Sequence, residues 1–355
     1  MSPVPFRGDP PLLNITLLTA LRQADGAFVS PSELGADPLT VARDIDALID
    51  FGFPIERDPQ GRSAYRGPAP RLCPDQIEHQ LEPRWIGHRI AVWRKVSSTN
   101  DLAAQASRSR SNAGLVVLAE EQTRGRGRRG RAWVAPPGTS ILMSVLIFPP
   151  PRLVSTLEQA TGLAWLTALA AVAAAETAAR WTSEEPSIKW PNDVRVGARK
   201  IAGVLVERAA GGGAVIGVGL NVNLAVEQFP PELRLGATSI QLEHGRPVDR
   251  SEVARTLIRR LDHWYDLSLA HGPGPLTEAW RARCEHLGRL VEVATPAGRV
   301  TGFLIDLDPE TGATLRTLPT HEPLPSHTQT TIPLAHVLNI QEWSQDPHNH
   351  PIPHD

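Results

Sequence analysis

The chain has 355 residues, with 36 Lys and Arg against 38 Asp and Glu and a formal net charge of −2. That length calls for two or three domains, and that charge excludes a global basic field, so any anion binding is local. Its two cysteines, Cys73 and Cys284, lie far apart and the N-terminus has no apolar signal core; the expectation is a cytoplasmic protein with reduced thiols and no four-cysteine zinc site.

Residues 1–75 predict three helices and a hairpin. Leu12–Arg22 has helical periodicity. Ser30 followed by Glu33 is a capping-box signature. Pro38–Phe51 places Val41, Ile45, Leu48 and Ile49 on one face. Phe53–Arg57 and Ser63–Arg66 flank a turn at Asp58–Gly61. This is the pattern of a winged helix-turn-helix, read either as a DNA-binding arm or as a structural or dimerisation module. Charge argues against DNA, since residues 1–70 hold six Lys and Arg against nine Asp and Glu. Only the wing, with Arg57, Arg62 and Arg66, has the cations that phosphate contacts require.

A Pro-rich connector, Gly67–Pro74, leads into the largest section, residues 80–284. Strands are expected at Ile90–Lys95, Leu115–Ala119, Ile141–Ile147, Ser187–Trp190, Val204–Glu207 and Val215–Val218. Helices are expected from Asn100, over Leu163–Ala179 and near Ser251–His271. The Ala-rich segment Leu163–Ala179 is bracketed by Glu158, Glu176 and Arg180 and reads as a buried amphipathic helix, not a membrane span. Residues 285–342 carry four expected strands, at Leu290–Ala294, Val300–Ile305, Ala313–Leu315 and Thr330–Pro333, and suggest a small β-barrel. Residues 343–355 read as a disordered tail in which His348, His350 and His354 are spaced as metal ligands or as plain tail residues. The class is α+β.

The most informative run is Gly125-Arg126-Gly127-Arg128-Arg129-Gly130-Arg131, between two strand-like segments. Glycine lets the backbone approach a ligand, and arginine presents a planar fork of donors to carboxylate or phosphate oxygens. The run spells G-x-G-x-x-G, but no helix is expected straight after it, which argues against a Rossmann site; a solvated or phosphate-contacting basic loop stays open. Five further segments stand at strand ends. Ser97–Asn100 either caps a helix or holds a polar ligand head. Glu121–Arg124 leads into the loop. Ile188–Asp193 and Lys200–Glu207 flank a turn near Gly197. Gly217–Asn223 ends a strand in small residues and amides.

Together, Gln122–Trp133, Lys189–Asp193, Lys200–Gly203 and Gly217–Asn223 resemble the biotin–protein ligase family, over residues 85–338. The N-terminal section is similar to that of the bifunctional members that also repress the biotin operon. The resemblance implies a winged helix, a central ligase-type α+β domain with a mixed sheet, and a C-terminal SH3-like β-barrel. It implies attachment of biotin, by way of biotinoyl-5′-AMP, to a lysine of the biotin carboxyl carrier domain of acetyl-CoA carboxylase. Substrates are then ATP and biotin, with Mg²⁺. A homodimer through a sheet edge and operator DNA at residues 1–75 belong to the same expectation. By resemblance Lys200 and Arg128 are catalytic. Ser98, Thr99, Asn100, Gln122, Arg126, Gly127, Arg128, Lys200, Gly203 and Gly217 bind biotin, the last two leaving room for its bicycle and valeryl chain. Arg128, Arg129, Arg131, Trp133, Asn192 and Asn221 face ATP; Trp133 stacks on adenine or is a core tryptophan. Asp193 helps position Mg²⁺, caps its turn, or orients the incoming amine. Two other readings remain: a biotin-sensing repressor with secondary or lost ligase activity, and a lipoyl-type acyltransferase.

Overall fold

The computed structural model describes residues 13–35, 37–150, 153, 160–309, 311–317 and 329–343; the tail histidines His348, His350 and His354 lie outside them. The first unit contains α1 (Ile15–Gln23), α2 (Pro31–Leu34) and α3 (Pro38–Phe51), then the antiparallel hairpin of β1 (Ile55–Arg57) and β2 (Ser63–Tyr65). Local chemistry sets each boundary. Asn14 accepts from Leu17 N, so α1 starts at Ile15 and not earlier. The Glu33 carboxylate accepts from Ser30 N at 2.8 Å, as the capping box requires. Asp37 caps α3, and Gly52 at φ +117° ends it. Val41, Ile45 and Leu48 meet Ile15, Leu18, Leu21 and Phe53 in a separate small core. The wing cations are spent internally: Arg57 pairs with Asp46, Arg62 with Asp58 and Arg66 with Glu56, each at 2.6 Å.

The connector is not a loose linker. Leu72 and Cys73 are buried, and Pro74 opens a short helix, α4 (Pro74–Glu78), that periodicity did not signal. Cys73 N donates to Ser251 Oγ at 2.9 Å. The Arg250 guanidinium, buried, donates to Pro70 O and pairs with Glu120, both at 2.8 Å. Arg22 reaches Glu252 at 3.1 Å. The connector is therefore held on the second unit by buried polar groups, and the first unit by the half-buried Arg22–Glu252 pair.

The second unit is built on a seven-stranded mixed sheet of order β3-β4-β5-β9-β8-β7-β6. Its strands are β3 (Arg89–Trp93), β4 (Leu115–Ala119), β5 (Ser140–Ile147), β6 (Ser187–Lys189), β7 (Asp193–Val196), β8 (Arg199–Ala209) and β9 (Gly213–Asn221). β3 and β4 are parallel, joined by the crossover helix α5 (Thr99–Ala106); the other ladders are antiparallel. All eight residues of β5 are buried because both faces are covered. On one face, Ala103 of α5 packs on Val117, Leu146 and Val215. On the other, α6 (Ala160–Ala178) and α8 (Arg250–His271) cover Met143, Val145 and Ile216.

Three expectations change here. The Ala-rich helix α6 is not amphipathic: Leu169–Ala175 are all buried, since it runs between the sheet, α8 and α9 (Gly274–Arg283). β7 is an additional strand, and β8 starts at Arg199, so Lys200 lies inside a strand. α7 (Ile240–His244) and α9 are also additional. Among the described residues no helix is long and apolar enough to cross a membrane.

The last unit holds β10 (Leu290–Thr295), β11 (Gly298–Asp308), β12 (Gly312–Thr317), β13 (Gln329–Ile332) and β14 (Asn339–Glu342), in the antiparallel order β13-β12-β11-β10-β14. β14 is short, polar and additional to the four expected strands. No ladder joins β13 to β14 among the described residues.

His286, at the start of this unit, has 2% of its surface exposed and an unpartnered Nδ1 among the described residues. Burial, then the nearby Lys189 charge, push its pKa from 6.5 down to about 4. Between those values the unfolded chain binds the extra proton and the native state does not. Its contribution is thus complete above about pH 6.5 and is lost as pH falls toward about 4. Denaturant midpoints are expected to fall across that window, and to fall less steeply in His286→Gln; identical slopes would count against it.

Candidate active site

The site forms where the glycines of β8 and β9 leave the sheet face bare beyond the end of α5. Register puts Gly203 opposite Gly219, Leu205 opposite Gly217, Ser144 opposite Gly217 and Asp193 opposite Gly203. Side chains of the chain itself use this space. A Cβ on Gly217 would lie 2.4 Å from Asn100 Oδ1, and one on Gly219 would lie 2.4 Å from the Trp133 indole. One on Gly203 would lie 3.0 Å from Trp133 and 3.1 Å from Lys200 Nζ.

At the α5 end the floor becomes a buried polar cluster. Ser98 is the N-cap residue, yet its hydroxyl makes no capping bond. Gln122 caps instead: its Oε1 accepts from Thr99 N at 2.7 Å and from Thr99 Oγ1 at 3.1 Å. Ser144 Oγ is 2.5 Å from Asn100 Oδ1 and 2.7 Å from Thr99 Oγ1, and Asn100 Nδ2 donates to Glu207 Oε2 at 2.6 Å. Thr99, Asn100, Gln122 and Ser144 are each fixed by a partner, so they present a set pattern of donors and acceptors.

The arginine loop folds back on itself above this floor. Trp133 N donates to Gly125 O at 3.0 Å, and Gly127 N to Arg131 O at 2.7 Å. Arg129 (φ 55°) and Gly130 (φ 71°) make the reversal. Gly125 admits the returning strand, because a Cβ there would sit 2.5 Å from Trp133 O. Arg126 pairs with Asp101 at 2.8 Å and Glu207 at 3.2 Å. Arg129 donates to Leu338 O of the last unit. The Arg128 and Arg131 guanidinium groups have no hydrogen bond or ion pair among the described residues. Arg128 keeps solvent access but is crowded by protein; desolvation, then repulsion from Arg129, lower its pKa, while Asp193 opposes the shift.

Lys200 is placed by its strand, with N donating to Gly236 O and its own O accepting from Thr238 N, both at 2.8 Å. Its Nζ is 2.7 Å from Asp193 Oδ1 and 5.5 Å from the centre of the Trp133 ring. Asn192 Nδ2 and Asn221 Nδ2 are used on backbone carbonyls of Val204 (2.9 Å) and Thr238 (3.0 Å). The Trp133 Nε1 donor is buried without a partner among the described residues, an arrangement that leaves a hydrogen bond for a ligand.

These groups line one cavity of about 520 Å³, a size suited to a small-molecule site. Every residue singled out from sequence lines it: Ser98, Thr99, Asn100, Gln122, Arg126, Gly127, Arg128, Arg129, Arg131, Trp133, Asn192, Asp193, Lys200, Gly203, Gly217 and Asn221. Its cations, with Lys189 added, face a single lining carboxylate, Asp193. Sequence reasoning missed Gly219, Ser144, Phe229, and Leu338, Asn339 and Gln341 from the last unit. Gly219 had a signal, the Gly-x-Gly spacing. The others had none, since only tertiary packing brings them in.

The description "Biotin/lipoate A/B protein ligase family" matches residues 92–223. The biotin–[acetyl-CoA-carboxylase] ligase of Mycobacterium tuberculosis is 35% identical over 248 residues, 67% of this chain and 89% of that protein. The bifunctional ligase/repressor BirA of Escherichia coli is 29% identical over 84% of this chain and 89% of its own length. The structure of the Aquifex aeolicus biotin protein ligase in complex with biotin and ATP is similar in fold, with a TM-score of 0.59 and 24% identity over 72% of this chain and all of that one. A mixed sheet with an arginine loop and strand lysine above its glycines, and relatives matched over nine-tenths of their length, agree: the chain belongs to the biotin/lipoate A/B protein ligase family and is a biotin protein ligase.

Proposed function

We propose that the chain joins biotin to ATP and then passes the biotinoyl group to a lysine of the biotin carboxyl carrier domain of acetyl-CoA carboxylase. The observation that carries this is the cavity's charge: six cations and one carboxylate line it, above an apolar glycine floor. In the first step a biotin carboxylate oxygen attacks the α-phosphorus and pyrophosphate leaves. Two anions must approach, so fixed positive charge stabilises the transition state. Arg128, without a partner among the described residues, and Lys200 on its strand take that role. In the second step the carrier amine attacks the acyl carbon and AMP leaves with the electron pair.

The polar cluster of Ser98, Thr99, Asn100 and Gln122 suits the neutral ureido head of biotin, because a site built to hydrogen-bond its ligand rejects ligands that lack the matching groups. Arg126, Gly127, Gly203 and Gly217 complete the biotin side in this reading. Arg129, Arg131, Trp133, Asn192 and Asn221 face the nucleotide. Mg²⁺ fits one carboxylate plus substrate phosphates, and Asp193 would hold it; the ion would neutralise phosphate charge. Asp193 already balances Lys200 at 2.7 Å, which supports a shared role in placing that ammonium.

The domain limits 1–75, 80–284 and 285–342 belong to the proposal, as do a winged helix, an SH3-like barrel, a cytoplasmic location and a homodimer through the open sheet edge at β3. Operator DNA at residues 1–75 has support from the three-helix-and-hairpin order, but the paired wing arginines favour ligation as the principal activity. Biotin-dependent exchange of pyrophosphate into ATP tests the first step. Exchange with biotin and none with lipoate is expected; exchange with lipoate alone would reverse the substrate assignment to a lipoyl-type acyltransferase.

A further inference from the structure

Arg126 differs from its neighbours in the loop. Its Nη2 donates to Asp101 Oδ1 at 2.8 Å and to Glu207 Oε2 at 3.2 Å, so two carboxylates face one guanidinium. Neither acid belongs to the loop. Asp101 sits in the first turn of α5, where the helix dipole favours an anion. Glu207 is on β8, paired across the sheet with Val215. The same Glu207 oxygen accepts from Asn100 Nδ2 at 2.6 Å, and Asn100 fills the space over Gly217. A phosphate arriving at Arg126 would meet a cation already neutralised by two carboxylates. Arg128, two residues on, has no such partners among the described residues.

We infer that Arg126 is the fastener of the loop and not a phosphate ligand, and that Asp101 and Glu207 are positioning residues that hold the loop over bound biotin. The inference rests on the ligase reading for its ligand, but the fastening is a property of the chain itself. It also joins two functions at one atom. Glu207 Oε2 ties the loop to the Asn100 carboxamide, so the loop is fixed by the same group that orients the polar end of the pocket. The carboxylates raise the affinity of Arg126 for its proton, with the Asp101 hydrogen bond the largest cause, in keeping with a permanently charged fastener. Loss of a charge-assisted hydrogen bond of this kind corresponds to about tenfold in a binding equilibrium.

The test uses the full-length chain and the variants Asp101→Asn, Glu207→Gln and Arg126→Ala, each checked for a cooperative thermal transition. Each is expected to speed dissociation of biotinoyl-AMP about tenfold; in Asp101→Asn and Glu207→Gln, which leave the cavity lining intact, the single-turnover rate of adenylation at saturating biotin and ATP is expected to stay within about twofold of wild type. Arg126→Ala combined with Glu207→Gln is expected to speed dissociation by less than the product of the two single effects, because both remove the Arg126–Glu207 contact. A hundredfold slower adenylation in Arg126→Ala, with Asp101→Asn and Glu207→Gln like wild type, would make Arg126 a phosphate ligand and overturn the inference. Amide exchange of residues 124–133 without ligand gives a second readout that does not depend on the reaction. Faster exchange in all three variants is expected, and unchanged exchange would refute the fastening. Wild-type protein that forms no biotinoyl-AMP but shows the expected exchange pattern would refute the ligase reading alone.

Discussion

Replacing Lys200 with alanine is expected to slow biotin-dependent adenylate formation by about 10²- to 10³-fold while the chain stays folded, the usual loss for one transition-state charge donor. The side chain sits inside β8, against Trp133 and within 2.7 Å of Asp193. Its position is therefore set by the sheet and not by a flexible loop, as a preorganised electrostatic group requires. Folding should tolerate the change. Lys200 and Asp193 are 35% and 31% exposed, and ion pairs with that access to water contribute at most about 1 kcal/mol. Arginine at this position is not expected to restore the rate, because the planar fork is larger than an ammonium and spreads its charge over three nitrogens. Single-turnover adenylation and a thermal melt on the same sample give the answer. A rate within about threefold of wild type would remove Lys200 from the chemistry.

Gly217→Ala is the second substitution with a large expected effect, on biotin affinity more than on rate. Gly217 lies in extended backbone, so alanine meets no conformational penalty; the conflict is steric. The new methyl would be placed 2.4 Å from Asn100 Oδ1. Asn100 cannot yield cheaply, because it would have to give up its bonds to Ser144 and Glu207 in a buried setting. Overpacking of this kind costs about 1–3 kcal/mol, which corresponds to roughly a 5- to 150-fold weaker biotin complex. Gly203→Ala should be milder, since its nearest contacts are at 3.0–3.1 Å. Calorimetric titration with biotin distinguishes the two, and equal affinity of Gly217→Ala and wild type would contradict the account of the pocket floor.

Much of this was legible because it is local. Pro38 and Gly52 bracket α3, and Leu115–Ala119 is a β-branched run between turn signals; both elements fall where expected. The site segments were legible for a related reason. Gln122–Trp133 and Lys189–Asp193 join neighbouring strands, while Lys200–Gly203 and Gly217–Asn221 lie on the adjacent strands β8 and β9, so the topology gathers them without any long excursion of the chain. What stayed hidden depends on partners distant in sequence. β7 is a four-residue strand that starts at the last residue of the Lys-Trp-Pro-Asn-Asp run and turns at Gly197, φ 56°. Continuous burial of α6 follows from α8 and α9 packing on its outer side, which no periodicity in α6 could announce. The pairing of Arg126 with Glu207 spans 81 residues, and that of Arg57 with Asp46 depends on the hairpin folding back on α3. The family resemblance divided the four arginines between biotin and nucleotide; their partners, set by tertiary structure, divide them again, with Arg126 on Asp101 and Glu207 and Arg129 on Leu338 O.

The divided loop supports one central claim, that this cavity carries biotin from solution to a protein lysine. The most direct measurement incubates the protein with ATP, Mg²⁺, a biotin carboxyl carrier domain and either biotin or lipoate, then reads the intact mass of the carrier. A gain of one biotinoyl group with biotin, absent when the carrier's acceptor lysine is replaced by arginine, is the predicted result. No gain with biotin, or a gain with lipoate alone, would contradict it.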